Sequence, residues 1–322
     1  MDKAGTAAII ILAGPTASGK SALALRLADR FGGEIVNADS MQVYRELRVL
    51  TARPTPEDEA RVPHHLYGFL SVRETCSAAE WAARARAVIA EITARGCIAF
   101  VIGGTGLYLK ALLDGLSPIP EVPADVRATA RARVRDEGSA ALHAELARLD
   151  PEAAARIAPS DAQRVARAWE VAIATGRPLS DWQKMVPTGG LLAQAPAPVH
   201  RFVLVPPRAL LYERCTARLE NMVEAGALDE VQALDALNLP ADAPAMKALG
   251  VAQLRAHLRG EIDLADALAA AATATRRFAK RQMTWFRHQF GDWQMVEQQD
   301  LESFFNYFLS FIRDTVLTEQ DL

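Results

Sequence analysis

Ala7–Ala13 reads AAIIILA, a run without a polar side chain. A strand with one wet face alternates, so an unbroken apolar run reads as a strand buried on both faces, as in a parallel sheet. The chain then turns through glycine, and Ser21–Phe31 places Leu23, Leu27 and Phe31 at helical spacing. Gly33–Ser40 (GEIVNADS) predicts a second short strand that ends in polar residues. A helical stretch from Trp81 to Arg95 leads into CIAFVIGGTGLYLKALL, which is again strand, glycine turn and helix. Strands alternating with helices predict an α/β fold with a doubly wound parallel sheet.

The pattern changes after Leu116. SPIPEVP (Ser117–Pro123) is a proline-rich joint, and from Ala124 to about Gly176 Ala and Arg recur with no strand-like run, which predicts a helical insertion. VPTGGLLAQAPAPV (Val186–Val199) reads as a loop or second hinge, HRFVLVPP (His200–Pro207) as a return to the sheet, and DWQMVE (Asp292–Glu297) as a last short strand after further helices. The expected organisation is a core over 1–118, a helical insertion over 119–199, and a return to the core with C-terminal helices over 200–322. Leu301, Phe304, Phe305, Phe308, Ile312 and Val316 share one helical face, the pattern of a helix packed on the core rather than of a membrane anchor.

Composition narrows this little. The 322 residues suffice for one large or two smaller domains, and 50% hydrophobic with 23% charged residues is ordinary for a globular chain. A formal net charge of −3 means that any nucleic-acid role must rest on local clusters. Cys76, Cys97 and Cys215 are far apart, with no CxxC pair, which speaks against a zinc site or disulfide framework and fits a reducing cytosol. No segment has the length and apolarity of a membrane span and no signal-peptide pattern is seen, so the expectation is a cytoplasmic protein, monomeric by default.

Gly14-Pro15-Thr16-Ala17-Ser18-Gly19-Lys20-Ser21 fits G-x-x-x-x-G-K-[ST] without deviation. Glycines let backbone N–H groups turn inward as an anion nest, and the following helix points its positive end at the anion. Lys20 adds a point charge, and the Ser21 hydroxyl can ligate Mg²⁺. The loop sits between a buried strand and an amphipathic helix, as phosphate binding requires, and predicts a P-loop NTPase-like fold. It identifies a di- or triphosphate, not ATP. The usual companion is a strand ending in Asp that helps to hold Mg²⁺. Here the strand Cys97–Ile102 ends in Gly103-Gly104-Thr105-Gly106, and the nearest strand-end acid is Asp39, which weakens a kinase or ATPase reading.

Several blocks together resemble the tRNA dimethylallyltransferases (tRNA isopentenyl transferases). They are GPTASGKS (Gly14–Ser21), NADSMQVYREL (Asn37–Leu47), TARPT (Thr51–Thr55), PHHLYG (Pro63–Gly68), CSAAEW (Cys76–Trp81) and VIGGTGLYLKALLDGL (Val101–Leu116). DAQRVARAWEV (Asp161–Val171), TGRPLS (Thr175–Ser180), YERCTARLENMVEAGALDEV (Tyr212–Val231) and TRRFAKRQMTWFR (Thr275–Arg287) continue the order. The resemblance implies transfer of a five-carbon group from dimethylallyl diphosphate to N6 of an adenosine beside the anticodon, with diphosphate leaving. The phosphate loop would then hold the prenyl donor with Mg²⁺, and the partners would be that donor and the tRNA anticodon stem-loop. Asp39 matches the family's general base, and Arg218 matches an arginine expected near the diphosphate. Thr105 could bond a diphosphate oxygen or the reacting amine, and by position alone it could also cap a helix. Asp39 and Ser40 could likewise be a helix cap. Gln42 offers the amide that pairs with an adenine edge. The family's RNA-contacting stretch here is Asp39, Ser40, Met41 and Gln42 with Thr105.

Further RNA contacts are expected at Arg127, at Gln163, Arg164, Val165, Ala166 and Arg167, at Lys247, and at Arg276, Lys280 and Arg281, where Phe278, Trp285 and Phe286 interleave with the cations. A solvated charged face would show much of the same pattern. The chain departs from the family pattern at Glu46, at Leu47-Arg48-Val49-Leu50, at Arg53 and at Val251, which bears on loop shape and on the contact near Lys247. A small-molecule kinase, an enzyme prenylating free adenine nucleotide, and a non-enzymatic RNA-binding module remain the rival readings.

Overall fold

A computed structural model describes residues 7–317. β1 (Ala8–Ala13) passes through the glycine loop into α1 (Lys20–Phe31), followed by β2 (Glu34–Asn37), α2 (Pro56–Arg61), β3 (His64–His65), α3 (Ala78–Ala94), β4 (Ile98–Gly103) and α4 (Gly106–Leu113). Next come β5 (Gly115–Leu116), α5 (Ala124–Asp136), α6 (Ser139–Leu149), α7 (Pro151–Arg156), α8 (Ala162–Thr175), α9 (Leu179–Gln183) and β6 (Thr188–Gly189). The chain continues as β7 (Val199–Val205), α10 (Arg208–Glu224), α11 (Ala227–Ala236), α12 (Val251–Leu258), α13 (Leu264–Gln289), β8 (Gln294–Glu297) and α14 (Leu301–Phe311), which ends in a π turn at Ile312–Val316.

The chain forms two compact units. One joins the residues up to Leu113 with those from Leu191 onward, and the other is Asp114–Gly190. In the first, the strand order is β3-β2-β4-β1-β7-β8 and every pairing is parallel. β1 lies between β4 and β7, with Ile9 opposite Ala99 and Val199. A central parallel strand is covered on both faces, which is why its sequence does not alternate. Ile10, Leu12, Leu23, Leu27, Phe100 and Phe202 form a core cluster with Phe304, Phe308, Ile312 and Val316 of the C-terminal helix. Phe202 meets Phe308 and Phe311 edge-on at 4.9 Å each. The apolar face of the tail therefore packs on the sheet, and no helix among the described residues is long and apolar enough to cross a membrane.

Two short ladders escaped the sequence reading. His64 and His65 form the edge strand β3 against Ile35 and Val36. His65 Nε2 and Glu34 Oε2 lie 2.7 Å apart across that edge. Burial would push the Glu34 carboxyl up, but the Arg95 guanidinium and His65 beside it hold it below the ordinary range. Likewise, β5 pairs antiparallel with β6, inside the stretch expected to be a hinge. The helical unit consequently runs from 114 to 190 rather than from 119 to 199, because this ladder closes it and β7 starts at Val199. Gly115, at φ 84°, is required there, since a Cβ would come within 2.2 Å of the Thr188 carbonyl oxygen.

Within the helical unit, Val122, Leu146, Ala168, Val171 and Leu179 form one cluster, and Ala130, Leu142, Val165, Ala166 and Trp169 another. The buried Asp150 carboxylate caps α7 at Ala153 N–H (2.9 Å) and also accepts from Ser180 N–H (2.9 Å). Burial opposes ionisation of Asp150, and those donors hold it ionised below its ordinary value.

Candidate active site

The glycine loop leaves β1 at the carboxyl edge of the sheet, where open α/β folds place their ligands. Ala17 (φ 62°) and Gly19 (φ 88°) adopt left-handed backbone, folding the loop back on itself before α1. Ser18 N–H closes on the Pro15 carbonyl at 3.2 Å, and Lys20 Nζ donates to the same oxygen at 3.1 Å. The loop lines a cleft of about 290 Å³ together with Asp39, Gln42, Thr51, Ala52, Arg214 and Arg218. Phosphate-loop residues, a carboxylate and two guanidinium-bearing side chains thus share one cavity.

Arg218 reaches across the cleft, with Nη1 donating to Thr16 Oγ1 (3.4 Å) and Nη2 to the Thr51 carbonyl (3.3 Å). Arg214 stands one helical turn earlier on α10 and lines the same cavity. Burial lowers the Lys20 ammonium from 10.5 to about 8; Asp39 opposes the shift and Arg218 adds to it. An anion entering the cleft would reverse that balance, because it supplies the countercharge that burial removes.

Asp39 follows β2 and is fixed through its backbone and side chain. The fully buried Asn37 accepts Asp39 N–H at Oδ1 (2.8 Å) and donates from Nδ2 to the carbonyls of Asp39 (3.1 Å) and Leu66 (3.0 Å). Asp39 Oδ1 accepts Met41 N–H at 2.9 Å. This is an Asx turn, not a helix cap, because no helix begins there. Trp81, stacked on Tyr108 at 4.5 Å, donates to the Asn37 carbonyl at 3.0 Å. The second glycine turn then locks on: a Cβ at Gly103 would come within 2.1 Å of the Ala38 carbonyl oxygen.

Thr105 does not cap α4 with its side chain. Its Oγ1 accepts Ser40 N–H (2.9 Å) and lies 3.2 Å from Ser40 Oγ, so it ties the glycine turn to the Asp39 turn. Gln42 departs further from expectation. Nε2 donates to the carbonyls of Thr51 and Ala52, at 2.9 Å each, which commits its donor side to the neighbouring loop rather than to a bidentate edge. That loop is brought up by Glu230 of α11, whose carboxylate accepts N–H from Arg48 (2.7 Å), Val49 (2.7 Å) and Leu50 (2.9 Å). Of the departures from the family pattern, Glu46 accepts from Ser71 Oγ (3.1 Å) and Val72 N–H (3.0 Å). Arg53 donates to the carbonyls of Tyr44 (3.3 Å) and Arg45 (3.2 Å), and Val251 is buried.

The expected RNA contacts divide. On α13, Lys280 and Arg281 are exposed, whereas Arg276 is half-buried and donates to Thr273 Oγ1 (2.9 Å) and Thr216 Oγ1 (3.5 Å). Lys247 is exposed on a short 3₁₀ turn. Within the helical unit, Gln163, Arg164 and Arg167 face solvent and Arg127 is half-exposed. Val165 and Ala166 instead pack inward against Leu142 and Trp169, so their side chains cannot meet RNA; they share the motif by adjacency alone. Burial raises the Glu170 carboxyl, opposed by Arg167, Arg131 and Arg127, and Arg167 Nη1 lies 3.5 Å from Glu170 Oε2.

The sequence reading missed three positions. Arg214 carries a signal, since it stands four residues before Arg218 on one helical face. Asn37 is a polar strand end with no motif of its own. Gln282 breaks the buried stripe Ala271, Thr275, Ala279, Phe286 of α13, and a polar residue in such a stripe asks for a partner.

Fold and site define a P-loop-type α/β protein whose glycine loop shares a cleft with a carboxylate. Comparison with known families narrows this. The model of the IPP transferases matches residues 42–289, and that of the isopentenyl transferases residues 7–67. The chain is 54% identical to a tRNA dimethylallyltransferase of Parvibaculum lavamentivorans, over 96% of this chain and 97% of that one. It is 55% identical to one of Phenylobacterium zucineum, over 94% and 96%. Among solved structures it is similar to the full-length tRNA isopentenylpyrophosphate transferase of Bacillus halodurans (TM-score 0.68, 32% identity, 97% of this chain and 98% of that one). It also shares the fold of a eukaryotic dimethylallyltransferase acting on tRNA (TM-score 0.80, 24% identity, 97% and 80% covered). The protein belongs to the tRNA dimethylallyltransferase family and is an enzyme of the prenyltransferase class.

Proposed function

We propose that the protein transfers the dimethylallyl group of dimethylallyl diphosphate to the exocyclic N6 of the adenosine on the 3′ side of a tRNA anticodon. The N6–C1 bond forms, the C1–O bond breaks, diphosphate leaves and the N6 proton goes to Asp39. The observation that carries this reading is the shared cleft: Lys20, Arg214, Arg218 and the loop amides line the same cavity as the Asp39 carboxylate.

An aromatic amine is a weak nucleophile, so the main electrostatic task is to stabilise the departing diphosphate. The phosphate loop, Gly14 to Ser21, is suited to it through its amides and the Lys20 ammonium, and the two arginines complete the anion site. Among the described residues no cluster of three or more His, Cys, Asp or Glu could cage a metal. The oxygen groups that line the cleft include the Ser21 hydroxyl and the Asp39 carboxylate. That donor set fits Mg²⁺ arriving with the diphosphate and keeping waters, as this ion does at phosphate sites. When bound, it would neutralise diphosphate charge. Asp39 is the general base, with Oδ1 turned by Met41 N–H and its backbone held by Asn37. Thr105 acts through Ser40, keeping that turn against the glycine loop.

The acceptor base must leave its stack to reach such a cleft. Exposed Lys280 and Arg281 on α13, Lys247, and Gln163, Arg164 and Arg167 on α8 are suited to the phosphate backbone of the anticodon arm. A tRNA acceptor fits a cytoplasmic reaction. The test is incubation with unmodified tRNA and dimethylallyl diphosphate, followed by digestion to nucleosides and mass spectrometry. One prenyl group on adenosine is the expected product. ATP turnover without prenylation, or prenylation of AMP in preference to an anticodon stem-loop, contradicts the reading.

A further inference from the structure

Gln282 is 7% exposed and sits inside the buried stripe of α13. Its Oε1 accepts Thr16 N–H at 2.9 Å, and its Nε2 donates to the Gly104 carbonyl at 2.9 Å. One partner is a donor and the other an acceptor, and the side-chain amide in this orientation satisfies both. Gly104 is matched to the contact, because a Cβ there would come within 2.2 Å of Gln282 Nε2.

Each bond fixes a planar peptide unit. Thr16 N–H and the Pro15 carbonyl belong to one plane, and that carbonyl is where Lys20 Nζ rests (3.1 Å) and Ser18 N–H closes (3.2 Å). The Gly104 carbonyl and Thr105 N–H belong to a second plane, whose N–H donates to the Ala38 carbonyl at 3.3 Å, immediately before Asp39. A tilt of the first plane moves the acceptor of Lys20. A tilt of the second moves Thr105 and the turn that carries Asp39.

We propose that Gln282 is a positioning residue for prenyl transfer: one buried amide clamps the phosphate loop to the second glycine turn, and so sets Lys20 against Asp39 across the cleft. The inference rests on the prenyl-transfer reading above. Gln282 itself need touch neither donor nor adenine. Displacements of about 1 Å at a reacting pair cost on the order of 10²-fold in rate.

The test compares the full-length parent with Gln282→Met, which conserves volume and removes both bonds. Readouts are kcat, KM for tRNA, affinity for inorganic diphosphate by calorimetry, and the melting midpoint. The expected result is a kcat lower by about 10²-fold, weaker diphosphate binding and an unchanged KM for tRNA, because the exposed cations of α13 remain. Activity is scored per folded molecule. A variant with parental kcat and diphosphate affinity overturns the inference, as does a loss that disappears once unfolded protein is discounted. A parent that prenylates no tRNA sinks the functional reading itself, which distinguishes that failure from this one.

Discussion

At the scale of single residues, the site is a contest between burial and charge. The fold lowers Lys20 to about 8, so its charged form is disfavoured relative to the unfolded chain. The unfolded chain then binds more protons between about 8 and 10.5, and stability rises with pH across that window. Lys20→Met should therefore melt higher than the parent at pH 7 and lose that advantage toward pH 10.5. Inorganic diphosphate affinity of the parent should fall as pH rises through about 8, where Lys20 loses its proton, and the Lys20→Met titration should be weaker and lack that step. Asp39→Asn keeps the Asx turn acceptor and removes the base. It should lower kcat by about 10²–10⁴-fold with tRNA affinity intact, measured by single-turnover kinetics beside filter binding. Gln42 shows where residue-level reading stops. Its amide type is right for adenine, yet Thr51 and Ala52 claim it, and that loop is held by Glu230, some 180 positions away in sequence.

At the scale of elements, the long non-alternating strands and the glycine motif were legible because both are local patterns with one physical cause each. β3, β5 and β6 were not, since two residues carry no period. The tail was read correctly as a packing helix, and α14 buries Phe304 and Phe308 in the sheet cluster. Phe308→Ala should cost about 3–5 kcal/mol of stability, seen as a lower urea midpoint, with the ratio of kcat to KM unchanged under conditions where the variant is folded. On α8 the motif residues split by helical face, Val165 and Ala166 inward and Gln163, Arg164 and Arg167 outward, a split that the spacing already contained. Replacing both Arg164 and Arg167 by Ala should weaken tRNA binding and flatten its dependence on salt concentration, with no change in diphosphate affinity.

At the scale of the whole molecule, the use proposed for the glycine loop is one that its shape alone does not announce. The loop fits any di- or triphosphate. What narrows it is the company it keeps: a second glycine turn in place of an acidic strand end, and Asp39 facing the same cavity as Lys20, Arg214 and Arg218. The family relationship agrees with that narrowing at high identity over nearly the full chain. The central claim is that this cleft holds the leaving diphosphate of a prenyl donor rather than a nucleotide. The most direct measurement is a competition titration in which a non-reactive thiodiphosphate analogue of dimethylallyl diphosphate and ATP compete for the protein in Mg²⁺. The account predicts that the prenyl analogue binds more tightly than ATP and that Lys20→Met weakens its binding. Tighter binding of ATP, with the analogue unable to displace it, would contradict the account.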